Sequence, residues 1–374
     1  MARPVPPGRA IARRLLSWYD AGHRRLPWRF PQHAADPYQV WLAEVMLQQT
    51  QVERVEPYYR RFLLRWPTLE ALASAPEAEV LAAWSGLGYY ARARNLLAAA
   101  REALRRHGGL PRSPEALSAL PGFGRYTAGA VASIAFAVPA PAVDGNAARV
   151  LSRLFLVTAD PAARRTGERL WALAGALLRG GGRGHSRPGD LNQALMELGA
   201  TVCRPGTPAC GRCPLAALCG ARRAGREQEV PRPRRRPARR RLEVACALVE
   251  RGGRLLLVRR PAPGLFGGLW APPCAEVPAG GSPRAALAKE AHRAGLRLRV
   301  GRRAAAVERT LTHRDLVLVA YRCAAPGAPV AGPWRWAARS WIPRLALPSA
   351  MRALLREVAP ARREEKPSSA PAGP

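Results

Sequence analysis

Lysine is almost missing from this chain. Of its 60 basic residues only Lys289 and Lys366 are lysine and 58 are arginine, so residues 1 to 288 carry no side-chain amine. Arginine stays protonated, which excludes Schiff-base chemistry by any side chain in that stretch. Acid is scarce as well: 26 Asp and Glu leave a formal net charge of +34. A codon-biased genome accounts for part of the arginine. Charge of this size nevertheless implies a polyanionic partner, most commonly nucleic acid. No apolar run approaches the roughly 20 residues that cross a bilayer, and MARPVPPGRAIARR has neither the apolar stretch nor the cleavage site of a secretory signal. No membrane partner and a cytoplasmic location are therefore expected. The seven cysteines are odd in number and four of them cluster, which suits a metal site better than a disulfide scaffold.

What is present divides into two textures. The 374 residues suffice for roughly two domains. From residue 9 to about 220, apolar side chains recur at helical spacing, as in Ile11, Leu15, Leu16 and Trp18, or Val40, Leu42, Val45 and Met46. Asp36 before Pro37 reads as a cap on the helix that follows. This half is expected to be all-α. Residues 221 to 241 hold ten arginines, two glutamates and three prolines and read as an extended, mobile linker. Beyond it, residues 244–249 and 255–258 flank Gly252–Gly253 and predict a β-hairpin. A helix over 283–294 and strands near 303–310 and 315–323 make this half α+β. The tail from Pro360 is rich in Pro, Ala and Ser and predicts disorder.

Three features carry chemistry. Cys203, Cys210, Cys213 and Cys219 are spaced C-x6-C-x2-C-x5-C, a set of thiols that suits zinc or an iron–sulfur cluster. Cys246, Cys274 and Cys323 are scattered and read as space-fillers. LPGFGRYTAGA (120–130) places Gly122 and Gly124 ahead of a helix, where outward amides and the helix dipole hold a phosphate without regard to sequence. Two acids stand out. Glu44 falls in the apolar WLAEVMLQQTQV, and Asp144 in VDGNAARVL at a helix start. Taken alone, Glu44 reads as an exposed helix position and Asp144 as an N-cap.

EVMLQQTQV, GLGYYARARN, LPGFGRYTAGA, VDGN and the cysteine loop occur in the order of the MutY family, the adenine DNA glycosylases of the endonuclease III superfamily. The resemblance covers nearly all of residues 9 to 220. It implies an all-α helix–hairpin–helix glycosylase domain with an iron–sulfur loop over 1–225, a linker over 226–241, a Nudix-like α+β domain that reads 8-oxoguanine over 242–358, and a tail over 359–374. The family flips adenine out of a mispair with 8-oxoguanine or guanine and removes it, so double-stranded DNA carrying such mispairs is the expected partner and a monomer the expected state. Glu44 matches the general acid, which must be neutral near pH 7, and Asp144 the carboxylate that stays ionised beside the cationic sugar. Tyr126 and Asn146 match residues that position these groups, and Glu197 another pocket acid. Gln49 and Tyr89 match wedges inserted beside the lesion, and Gly122 and Gly124 the phosphate-holding hairpin. Cys203, Cys210, Cys213 and Cys219 match the ligands of a 4Fe–4S cluster.

Further residues bear on the reaction type and on the lesion. The endonuclease III branch has a lysine in the place of Tyr126, so its absence here argues for a monofunctional glycosylase. In the second half RRPAPGLFGGLWAPP matches the family's glycine–tryptophan loop, and ALAKEAHRAGL keeps only Glu290 of the glutamates a Nudix hydrolase needs. Thr312 and His313 are carried over as lesion contacts, although Leu311 stands where the family has an aromatic. The alternatives are a pyrimidine or thymine-mismatch glycosylase and a non-catalytic lesion-binding protein.

Overall fold

The computed structural model describes residues 8–30, 35–160, 163–179, 187–232, 238–261, 264–311, 314–327 and 333–358. Thr312, His313 and the tail from residue 359 lie outside the described residues. The chain separates into two compact units, Met1–Val80 with Tyr89–Arg236, and Leu81–Gly88 with Pro237–Pro374.

The helices in chain order are α1 (Gly8–Gly22), α2 (Pro37–Leu47), α3 (Val52–Arg65), α4 (Leu69–Ser74), α5 (Glu77–Ala83), α6 (Ala91–His107), α7 (Pro114–Ser118), α8 (Arg125–Phe136), α9 (Gly145–Leu154), α10 (Arg164–Arg179), α11 (Pro188–Thr201) and α12 (Gly220–Arg223). Asp36 caps α2 as its sequence predicts, accepting from the Gln39 N–H at 2.9 Å with Pro37 at the first position. The core of the first unit gathers Ile11 and Leu15 of α1, Leu151 and Leu154 of α9, Leu170 of α10 and Leu195 and Leu198 of α11. Each such side chain withdrawn from water contributes about 1.5–3 kcal/mol. Among the described residues no helix is long and apolar enough to cross a membrane.

The predicted linker departs from expectation where it is described. Val230 is buried and its carbonyl accepts from Arg153 Nε at 2.7 Å, so residues 226–232 are anchored on α9. Arg240 and Arg241 already belong to a strand. One buried valine outweighs the local proline and arginine content.

The second unit is built on a mixed sheet: β1 (Arg240–Arg251), β2 (Arg254–Arg259), β3 (Trp270–Ala271), β4 (Cys274–Val277), β5 (Arg299–Thr310), β6 (Arg314–Ala324) and β7 (Trp334–Ala338). The order is β3-β2-β1-β6-β5, with β4 beside β1 and β7 beside β2. The β1–β2 hairpin turns at Gly252 and Gly253, both at positive φ, a conformation that favours glycine. β1 runs parallel to β6 in register from Arg240↔Arg314 to Val249↔Cys323. Alternate β1 residues face opposite ways. Val244, Cys246 and Leu248 meet Met351 and Leu354 of α14 (Ser349–Glu357), while Ala245, Ala247 and Val249 meet Leu287 and Ala291 of α13 (Pro283–Arg293). Helices on both faces explain why β1 reads as a continuous apolar run.

Candidate active site

α2 is buried on every side over Tyr38 and Val40–Met46, so Glu44 has no exposed face and is 7% accessible. Burial strips water from its carboxyl and raises its pKa to about 7. The hydrogen bond from Tyr126 and the charge of Arg29 pull it down, and the charge of Asp144 pushes it up. Tyr126, in the first turn of α8, donates its O–H to Glu44 Oε2 at 2.7 Å, and its hydroxyl also lies 3.1 Å from Met196 Sδ of α11. Burial and the two carboxylates hold the phenol pKa well above its ordinary value.

Asp144 is the N-cap of α9 and more. Its Oδ1 accepts the Ala147 N–H at 2.7 Å, and its Oδ2 accepts from Asn146 Nδ2 at 3.0 Å. Burial raises its pKa, whereas those hydrogen bonds and the charge of Arg149 favour the anion. The anion expected of Asp144 is favoured by these donors and opposed by burial, which is the larger influence. Arg149 Nη2 donates to Asn146 Oδ1 at 2.7 Å, which turns the amide nitrogen toward Asp144. The same guanidinium reaches Gly199 O at 2.9 Å and Cys203 O at 2.8 Å. One turn later Arg153 donates to Arg204 O at 2.8 Å and lies 3.3 Å from Cys203 Sγ. A single helix therefore presents the acid at its head and the cysteine loop along its side.

Cys203, Cys210, Cys213 and Cys219 are half-buried free thiols. Burial and the charges of the other three push the Cys213 thiol up to about 11. Four thiolates cannot gather here unless positive charge lies among them. The donor set fits a thiolate-bound metal group. Among the described residues no three His, Cys, Asp or Glu side chains meet at the separation of ligands to one ion.

Glu197 of α11 is 2% accessible. Burial works to raise its pKa, but Arg24 and Arg29 overcome that and hold the carboxyl at about 2. Arg24 Nε and Nη2 donate at 2.8 and 2.9 Å and Arg29 Nη2 at 2.6 Å. Glu197 is thus a fixed anion, and Arg29, to which it is paired, also pulls down the pKa of Glu44.

Gln49 and Tyr89 are exposed and both hold left-handed backbone, at φ 57° and 49°, a strained state for residues other than glycine. Arg92 joins their loops: Nη1 donates to the Gln48 carbonyl at 2.6 Å, Nη2 to Thr50 Oγ1 at 3.1 Å, and the guanidinium lies 5.6 Å from the Tyr89 ring centroid. Between α7 and α8, Gly122 takes φ 75°, and a methyl on it would stand 2.6 Å from Asn95 Cβ. Phe123 stacks on Trp41 of α2, centroids 5.2 Å apart, which anchors the turn to the helix bearing Glu44. Gly124 caps α8, whose first amides have no intrahelical acceptor. Gly129 answers to a different need, because a methyl there would meet the Pro141 carbonyl at 2.0 Å.

Sequence reasoning does not single out Arg24, Arg29, Arg92, Arg149 or Arg153. In a chain with 58 arginines one more carries no signal. Only the spacing of Asn146, Arg149 and Arg153 along one helix face was available to find the last two.

Residues 42–175 match the HhH-GPD superfamily of base excision DNA repair proteins, and residues 244–357 match a NUDIX domain. The chain is 42% identical over 310 residues to a human adenine DNA glycosylase, covering 68% of this chain and 56% of that protein. To the adenine DNA glycosylase of Mycolicibacterium smegmatis it is 44% identical over 213 residues, covering 56% of this chain and 69% of that one. A solved thermostable thymine-DNA glycosylase superposes at TM-score 0.51 and 29% identity, over 58% of this chain and 97% of that structure. The chain spans between 56% and 63% of the length of the mammalian relatives. With identity above 40% over more than two-thirds of the mycobacterial enzymes, the chain belongs to the adenine DNA glycosylase family.

Proposed function

We propose that this chain is a monofunctional DNA N-glycosylase that excises adenine mispaired with 8-oxoguanine or guanine. The observation that carries the reading is the Tyr126–Glu44 hydrogen bond at 2.7 Å on a buried carboxyl whose pKa is about 7, within the field of Asp144. Adenine leaves poorly unless protonated. Glu44, neutral in half the molecules near pH 7, donates to N7 of the everted base, and Tyr126 holds its carboxyl in place. Asp144, kept anionic by Ala147 and Asn146, faces the sugar and stabilises the cation that forms as the bond breaks. Glu197 and its arginines supply a fixed polar wall. Gln49 and Tyr89 enter the base stack, and the amides from Gly122 to α8 hold a phosphate.

Cys203, Cys210, Cys213 and Cys219 would hold a 4Fe–4S cluster, whose iron would supply the positive charge the four thiolates need. Arg149 and Arg153 fix the loop against α9. The second unit reads 8-oxoguanine through the segment after the exposed Leu311, where Thr312 and His313 supply polar groups. Pyrophosphate hydrolysis is not expected of it: the helix ALAKEAHRAGL keeps Glu290 as its one glutamate, and that carboxylate pairs with Arg293 at 3.8 Å.

A duplex assay compares adenine:8-oxoguanine, adenine:guanine, thymine:guanine and oxidised-pyrimidine substrates. Release of adenine alone is expected. Release of thymine favours the second reading, which the likeness to a thymine-DNA glycosylase supports. Asp144→Asn retains a capping side chain, so it is expected to bind the duplex normally and lose at least about a hundredfold in base release. Undiminished release from that variant overturns the role given to Asp144.

A further inference from the structure

On β1, Cys246 lies directly opposite Cys274 of β4. The adjacent position is hydrogen-bonded, since the Ala247 N–H donates to Pro273 O at 2.7 Å. In an antiparallel pair the two kinds of position alternate, so Cys246 and Cys274 occupy the non-hydrogen-bonded kind. There Cα atoms stand about 4.5 Å apart and side chains are closest. That falls inside the Cα separation of about 4.4–6.8 Å that a disulfide bridges. Both side chains point into the same core face, and they are 0% and 3% accessible and unbonded.

Arg260 stands beside them. Its Nη1 donates to Cys274 O at 3.0 Å, while its buried Nε has no partner among the described residues. The Cys246 S–H hydrogen bond and the charge of Arg260 lower the Cys274 pKa, whereas the same hydrogen bond and burial raise that of Cys246. The two sulfurs thus face one another beside a fixed positive charge, so that one can react as a thiolate and the other as its resolving thiol. Met351 Sδ lies 3.9 Å from Cys246 Sγ, which completes a three-sulfur set attractive to a soft metal ion. The positive charge of Arg260 opposes a cation there and favours the redox use.

We propose that Cys246 and Cys274 are a dithiol pair that a peroxide converts to a cross-strand disulfide. The Cys274 thiolate attacks one peroxide oxygen, the O–O bond breaks, and hydroxide leaves a sulfenic acid. Cys246 sulfur then attacks that sulfur. The S–O bond breaks, and the leaving oxygen and the hydroxide take up protons, one of them from Cys246. Two electrons pass from the sulfurs to the peroxide, giving one disulfide and two waters. β4 pairs with β1 over only four positions, so local opening of that short strand admits the oxidant. The bond ties the strand that lies parallel to β6 at the centre of the sheet.

The test uses the intact reduced chain, exposed to hydrogen peroxide or equilibrated with oxidised glutathione. Alkylation in denaturant, digestion and mass spectrometry follow. The expected result is a linked Cys246–Cys274 peptide lighter by two hydrogens than its reduced halves, with loss of both sites to alkylation. Cys274→Ser and Cys246→Ala each abolish the linked peptide and leave the remaining cysteine alkylated. Recovery of both cysteines separately alkylated after both treatments overturns the assignment. So does retention of a cuprous ion that Met351→Leu releases, which would make the trio a metal site.

Discussion

Glu44 is held against the interest of stability. Its folded pKa, about 7, lies above the ordinary value of 4.5. The folded state therefore favours the neutral acid, and the stability linked to that proton is complete below about pH 4.5 and is lost as pH rises through 7. The loss amounts to about 3 kcal/mol. Glu44→Gln keeps the size and the contact to Tyr126 but cannot ionise. Denaturant unfolding is expected to find it as stable as the parent near pH 4.5 and more stable by up to about 3 kcal/mol well above pH 7. Base release by the parent should decline as pH rises through 7, and the variant should release nothing at any pH. A variant no more stable than the parent at alkaline pH would mean that Glu44 ionises freely. Taken alone the sequence reads Glu44 as an exposed helix position, and only the family resemblance singles it out; its burial follows from packing on every side of α2, which a local pattern does not show. The resemblance alone points to Glu197, and nothing in the sequence marks it as a fixed anion, since Arg24 and Arg29 reach it across more than 160 residues of chain. Glu197→Gln leaves two guanidinium groups facing an uncharged amide, and thermal unfolding should register a loss on the order of 3 kcal/mol.

At the scale of elements, the sequence announced what is local. The Asp36 cap, the Gly252–Gly253 turn and the glycine-rich head of α8 all follow from dihedral preference and hydrogen bonding within a few residues. Close approaches between elements were not announced. Gly199 lies inside α11, where a glycine reads only as a weak helix former. Here it touches the first turn of α9: a methyl would stand 2.7 Å from Asn146 Cβ and 2.8 Å from Asn146 O. Gly199→Ala must push apart the two helices that carry Glu197 and Asp144. Overpacking of this kind costs about 1–3 kcal/mol, and a displacement near 1 Å at the reacting groups costs about a hundredfold in rate. The expected outcome is a folded protein with a lower melting temperature whose single-turnover adenine release falls far more than its duplex affinity. Equal losses in the two would place the effect in binding and not in the seating of Asp144. Val230 teaches the converse, since a single apolar residue pins a stretch that composition assigns to a mobile linker.

The property of the whole molecule that bears most on reaction type is an absence shared by every element up to α13. No lysine occurs before Lys289, and Tyr126 stands where the resemblance to the endonuclease III branch implies a lysine. Its phenol is committed to Glu44 and has a pKa held well above the ordinary value, so it does not replace an amine as nucleophile. Arginine stays charged. A chain that everts and releases a base by this route stops at the abasic site, because strand scission through a Schiff base needs a neutral amine at the sugar carbon. Borohydride added during turnover on an adenine:8-oxoguanine duplex should therefore trap no more protein–DNA adduct than the same reaction with Asp144→Asn, while alkali cleaves the product strand in the parent reaction only. An adduct that forms in proportion to base release, and that peptide mapping assigns to Lys289, would bring the second unit into the reaction and end the monofunctional reading.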